Sequence, residues 1–249
     1  MKKNYKNILI IVSTIFLLYI ILFEFIIPKN HFLPQPSIVL MSFPFLFTDY
    51  NIEIHLLSTI AIVYSSLLLS YLLLWSLKKH YHRKQDTLLD FVFSIEWFSE
   101  FIPGILIGLI LIYWFPNSEL VEFVFTTFIS FSYLFIKAHN ESRLVPAHYA
   151  ETFAVLNADK EFISSNIIWK YIQPSMMNHF KDIHLYLWSL LIAFEYIRGG
   201  WGIGSMIRNL FNNHDLSGLF STLIIIGVII FIGNFIINTI KKKIFHWSI

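Results

Sequence analysis

Six stretches of this chain are apolar for about the length that crosses a bilayer, and no other feature constrains its fold as strongly. Roughly 30 Å of hydrocarbon needs about 20 helical residues at about 1.5 Å each. Runs of that order fall at 8–27, 55–77, 88–115, 119–136, 183–197 and 219–240, the third long and the fifth short. The sequence thus predicts an all-α membrane protein, six transmembrane helices in one domain spanning 1–249. Composition agrees, since 56% of the residues are hydrophobic and 14% charged, outside the range of soluble globular domains. Lys2, Lys3 and Lys6 precede the first run as in a signal peptide, but the run is too long and no small-residue cleavage pattern follows, so it reads as a retained helix.

Orientation follows from where the cations sit. Of the 18 Lys and Arg residues, only Lys29, Arg198 and Arg208 fall on one side of a six-span arrangement. The others crowd the N-terminus, the loop Lys78 to Lys84, the connection around Lys137 to Lys181 and the tail Lys241 to Lys243. By the positive-inside rule both termini are expected in the cytoplasm, with the chain in the cytoplasmic (inner) membrane. A net charge of +2 gives no reason to expect nucleic acid, and the absence of Cys excludes disulfides, thiolate metal sites and a cysteine nucleophile. No internal repeat or Gly/Ser linker divides the chain.

Between the fourth and fifth runs lies a polar stretch, YAETFAVLNADKEFISSNIIWKYIQPSMM, on the expected cytoplasmic side. Tyr149, Phe153 and Leu156 share one helical stripe, and Ile163, Ile167 and Tyr171, flanked by Ile168 and Ile172, share a second. Asn157 enters the left-handed helix stop more readily than most residues, Asp159 can cap a new helix, and Pro174 closes the pattern. Two short helices over about 146–174 are expected, lying on the headgroups or docking a cytoplasmic partner.

These residues resemble the permease subunits of bacterial ABC importers, in which a Glu, a helix, a Leu-Gly-Ala turn, a second helix and a Leu-Pro form the cytoplasmic signature. Here Glu151, Leu156-Asn157-Ala158 and Gln173-Pro174 stand in that order. The stretches FLPQPSIVL (32–40) and AFEYIRGGWGIGSMI (193–207) are similar to segments of the branch that imports nitrate, sulfonates, taurine and vitamin precursors such as those of thiamine. The chain departs from the pattern at Thr152-Phe153, Asn157 and Gln173, and about four extra residues, close to one helical turn, separate turn from proline.

The resemblance implies a partner ABC ATPase subunit, an extracytoplasmic solute-binding protein and a second permease copy, identical or paired. Glu151, Phe153, Leu156, Asn157, Ala158, Asp159, Lys160, Glu161 and Pro174 would make the ATPase-coupling surface. No G-x-x-x-x-G-K-[ST] occurs, so ATP and Mg would sit on the partner, with no cofactor or metal on this chain.

Ionisable residues within apolar runs usually face a cavity or a partner. Glu96 and Glu100, at i and i+4, and Glu195 are the candidate translocation-path residues. For the Glu96/Glu100 pair three roles stay open: lining a solute path, a structural hydrogen-bonded pair, or a catalytic carboxylate couple. No catalytic site is expected, since H-E-x-x-H and G-x-S-x-G are both missing and His179 and His184 have a spacing unsuited to one metal-binding face. Glu24 reads as a packing or interfacial residue. The glycines of GGWGIG read as a tight outer turn followed by a short helix from about Ser205, and Ser37 as the cap of a short surface helix carrying Val39, Leu40 and Phe43. A non-transporting scaffold of permease descent and a membrane-embedded enzyme are the alternatives.

Overall fold

The computed structural model describes residues 5–27, 33–79, 94, 102–116, 118, 120–146, 148–149 and 159–245. Among them every regular element is helical. Helix α1 (Tyr5–Ile20) runs into a π-helical turn, Ile21–Ile26. Then come α2 (Pro36–Thr48), α3 (Ile52–Ser76) with a closing 3-10 turn Leu77–Lys79, α4 (Gly104–Trp114) and α5 (Val121–Arg143). The last three are α6 (Trp169–Arg198), α7 (Ile203–Asn212) and α8 (Leu216–Ile244).

Three of these are long and apolar enough to cross a membrane: Ile52–Lys79, Val121–Arg143 and Leu216–Ile244, of 28, 23 and 29 residues. They take up the runs expected at 55–77, 119–136 and 219–240 to within a few residues. Shorter apolar helices cover Ser13–Ile26, Pro36–Thr48 and Gly104–Trp114. The expected run 183–197 lies inside α6, whereas much of 88–115, with Glu96 and Glu100, lies outside the described residues, as do Glu151, Phe153, Leu156, Asn157 and Ala158.

The centre of the bundle is α3, α5 and α6. Ile183, Leu187, Leu191 and Phe194 recur at helical spacing on α6 and are fully buried, against Phe125, Leu134 and Phe135 of α5 and Val63, Leu67 and Leu74 of α3. The rings of Phe125 and Phe194 stack at 4.7 Å, and Gly108 lets α4 approach them, since a Cβ there would stand 2.8 Å from Phe194. Hydroxyls supply the polar ties: Ser70 meets Ser130 at 2.6 Å between α3 and α5, and Ser42 meets Ser221 at 2.5 Å between α2 and α8.

Two expected boundaries are corrected. Ser37 does not cap α2: Gln35 takes the N-cap position and Pro36 opens the helix, because proline's fixed φ suits a first turn in which its missing N–H costs nothing. Ser37 instead donates its backbone N–H to Glu24 Oε2 at 3.2 Å, a packing contact that ties the end of α1 to α2. Pro174 does not close a helix either. It sits inside α6, and helical backbone runs unbroken from Lys160–Ile163 through a π-helical segment, Ser164–Ile168, to Arg198. Proline deprives the Lys170 carbonyl of its ladder partner, but Ile172 and Met176 on either side are buried in the core and carry the helix through.

The π segment also explains which residues are buried. With i→i+5 hydrogen bonds it spends one more residue per turn than an α-helix. The buried face steps from Ile163 to Ile168, then to Ile172 and Met176, while Tyr171, expected on that stripe, is exposed.

Helix α7 lies on α6 through Gly204. A Cβ there would meet the Ile192 carbonyl oxygen and, at 2.6 Å, the Tyr196 backbone nitrogen, and backbone cannot swing aside as a side-chain tip can. Gly204→Ala is expected to destabilise the purified protein by about 1–3 kcal/mol. Gly227→Ala, with nothing within 4 Å of the new methyl, should unfold at or above the wild-type midpoint in detergent melts followed by intrinsic fluorescence.

Candidate functional site

The long helix from Lys160 to Arg198 has a built structure at each end. At its start Asp159 Oδ1 accepts from the Phe162 backbone N–H at 2.6 Å, the helix-capping role expected of that residue. One turn on, Ser164 Oγ donates to the Lys78 carbonyl at 2.6 Å, and Ile163, Ile168 and Trp169 are buried beside it. The capped start of the helix is thereby fastened to the end of α3.

At the other end the chain turns through Gly199, Gly200 and Gly202, with φ of 75°, 90° and 102°, values that residues with a Cβ rarely adopt. The expected short helix follows, starting at Ile203, two residues before Ser205. Gly202 precedes α7 and has no side chain to cap it, so the cap comes from other helices. The Thr59 hydroxyl accepts from Ile203 N–H at 2.9 Å and donates to Glu195 Oε1 at 2.8 Å. Glu195 Oε2 accepts from Gly204 N–H at 2.8 Å, and His55 Nδ1 accepts from Gly202 N–H at 3.1 Å. That last bond puts the proton of a neutral His55 on Nε2. Gly202 is also the only residue type that fits, because an added Cβ would run into the Glu195 carboxyl group.

Glu195 is completely buried. Its two carboxyl oxygens are held by the Thr59 hydroxyl and by the Gly204 amide in the first turn of α7. Beside it Arg198 Nη1 lies 2.5 Å from Glu122 Oε1, and Arg198 Nη2 donates to the Ser118 carbonyl at 3.1 Å. The arrangement locks α3, α5, α6 and α7 together at one end of the bundle.

Of the residues singled out in the sequence, the structure brings Asp159 to the head of the long helix and Glu195 to its tail, and places Pro174 within it. Lys160 and Glu161 are in its first turn. His179 and His184 point to different neighbours, Glu141 and Asn234. Thr59, His55 and the Glu122–Arg198 pair were not anticipated. The available signal was charge: Glu122 lies in the fourth apolar run, and Arg198 is one of the few cations on the side poor in them.

On the Lys-rich side, His179 Nε2 lies 3.1 Å from Glu141 Oε1 and joins α5 to α6. No family model matches the chain, and no curated protein matches it.

Glu122→Gln leaves Arg198 largely buried without its anion and should cost about 3 kcal/mol, while Glu122→Gln combined with Arg198→Gln should recover much of that loss in the same unfolding assay.

Proposed function

We propose that the chain is the membrane-spanning permease subunit of an ATP-driven ABC importer that moves a small solute into the cytoplasm by alternating access. The observation that carries this reading is the unbroken helix from Lys160 to Arg198. At about 1.5 Å per residue it is far longer than the hydrocarbon layer is thick. It joins a capped, charged head on the Lys-rich side to a glycine turn at the far side. Force applied at Asp159 is carried along one continuous helix toward Glu195 and Arg198.

In this reading six helices span the inner membrane with both termini cytoplasmic: α1, α3, the run 88–115 ending in α4, α5, α6 and α8. Residues 146–174 form the coupling segment, with Glu151, Phe153, Leu156, Asn157, Ala158, Asp159, Lys160 and Glu161 facing the ATPase and Pro174 further along. ATP and Mg stay on that partner. A solute-binding protein delivers a nitrate-, sulfonate- or taurine-like anion or a vitamin precursor, and a second permease copy completes the path. Glu96 and Glu100 line it. Glu195, whose oxygens are occupied by Thr59 and Gly204, fixes the outer turn that closes it.

The test is capture of the native complex. With cysteine replacing Asp159, a short cross-linker in gently solubilised membranes should trap an ABC ATPase, and solute-dependent ATPase activity should fall on trapping. If no ATPase co-purifies or cross-links, the importer reading fails and a scaffold role takes its place.

A further inference from the structure

At the cation-poor end of the bundle one side chain reaches the glycine turn from outside the Thr59 and Glu195 clasp. His55, in the first turn of α3, is partly exposed, and its Nδ1 accepts from the Gly202 backbone N–H at 3.1 Å. A backbone N–H can only donate, so Nδ1 presents its lone pair and a neutral ring carries its single proton on Nε2. The atom at which this imidazole would take up a second proton is therefore the atom that holds Gly202. A proton and the Gly202 amide compete for one lone pair.

The backbone held by that bond is free to move once the bond is gone. Gly199, Gly200 and Gly202 all have positive φ and no side chain, and Thr59 and Glu195 hold only the amides that follow, those of Ile203 and Gly204. His55 is thus the clasp nearest the glycines. The exposed Trp201, set between two of them, has its ring centroid 5.9 Å from that of His55. A cation within about 6 Å of an indole face is attracted to it, so a charged imidazole has a partner beside it. Of the charged groups on the packed elements, Glu53 lies two residues away on α3, Glu195 is held by Thr59 and Gly204, and Arg198 is paired with Glu122. Arg208 of α7 reaches the Ile197 carbonyl at 3.4 Å, and Asp49, after α2, takes the Thr48 hydroxyl at 2.7 Å. Among the described residues none of these groups is hydrogen-bonded to the imidazole, whose one such bond is to Gly202.

We propose that His55 is an acid-sensitive latch on the glycine turn. The neutral ring closes the latch by accepting from Gly202. Protonation at Nδ1 turns that acceptor into a donor, sets two donors face to face and releases the turn, while the imidazolium settles against Trp201. Release is local, because Ile203 and Gly204 keep their bonds to Thr59 and Glu195. Residues 199–202 gain freedom and α7 keeps its seat. The latch needs neither an ATPase nor a solute, so failure to capture an ATPase leaves it standing.

The test follows amide hydrogen exchange of the full chain in lipid nanodiscs from about pH 7.5 to about pH 5, a range that brackets the ordinary histidine value, with rates corrected for the intrinsic effect of pH. In the wild type, protection of the Gly202 amide, read from overlapping peptides, should fall about tenfold on acidification, as expected for one lost hydrogen bond. His55→Asn, whose Oδ1 takes the place of Nδ1 as an acceptor that does not titrate, should stay protected at both ends of the range. His55→Ala should be poorly protected at both, and His214→Asn, altered at the far end of α7, should keep the full response. Equal protection of the wild type across the range overturns the latch. So does an acid response that persists in His55→Asn, which would assign it to another group such as Glu195. Should His55→Asn not fold, the unaltered protein labelled with ring-15N histidine decides: the His55 Nδ1 resonance, identified by its absence from His55→Ala, should titrate at the pH at which the turn loses protection, and separate midpoints overturn the proposal.

Discussion

A polar side chain inside a packed bundle has to find its partner on a neighbouring helix, and that requirement orders the rest of this molecule. Thr59 and Glu195 join α3 to α6, Ser70 and Ser130 join α3 to α5, Ser42 and Ser221 join α2 to α8, and Glu122 and Arg198 join α5 to α6. Interhelical hydrogen bonds between membrane helices are worth only about 0.6–2 kcal/mol each. Their larger effect is on specificity, since a helix that slides by one residue exchanges each paired group for an unpaired one. Apolar surface such as that of Leu187 or Leu191 can repack after a small shift; the carboxylate of Glu195 cannot.

Two consequences meet at the glycine turn. Helix α7 is preceded by Gly202, which has no side chain to cap it, so its first amides depend on Thr59 and Glu195, which belong to other helices. The turn can keep its shape only while α3 and α6 keep theirs. A change in the relative position of those two helices is therefore felt directly at the start of α7.

The gross pattern was legible because it rests on composition over long windows. Apolar runs marked the three helices long enough to cross a membrane, Asp159 announced a helix start through its short carboxylate, and the closely spaced glycines announced a turn needing positive φ. Features that depend on one element answering another were not legible. Pro174 reads locally as a stop, and only the burial of Ile172 and Met176 shows why the helix continues. The π segment cannot be seen in a pattern that assumes a constant 3.6-residue period, so Tyr171 was placed on one stripe with Ile163 and Ile167, whereas the buried face passes from Ile163 to Ile168 and Ile172. Glu195 was visible as an odd charge, but its partners, Thr59 and the amide of Gly204, lie on other elements, and no local signal connects them.

The π segment and Pro174 fall close together, and both weaken the same stretch of hydrogen-bond ladder, so bending of the long helix concentrates there. From Pro174 to Arg198 the helix extends about 36 Å at about 1.5 Å per residue. A bend of about 10° at the proline then carries Arg198 sideways by about 6 Å, much further than a 2.5 Å contact with Glu122 can stretch. Either that ion pair breaks with each swing or α5 travels with α6 as one body. The fastening at the far end thus decides whether the helix works as a free pointer or as the leading edge of a moving slab.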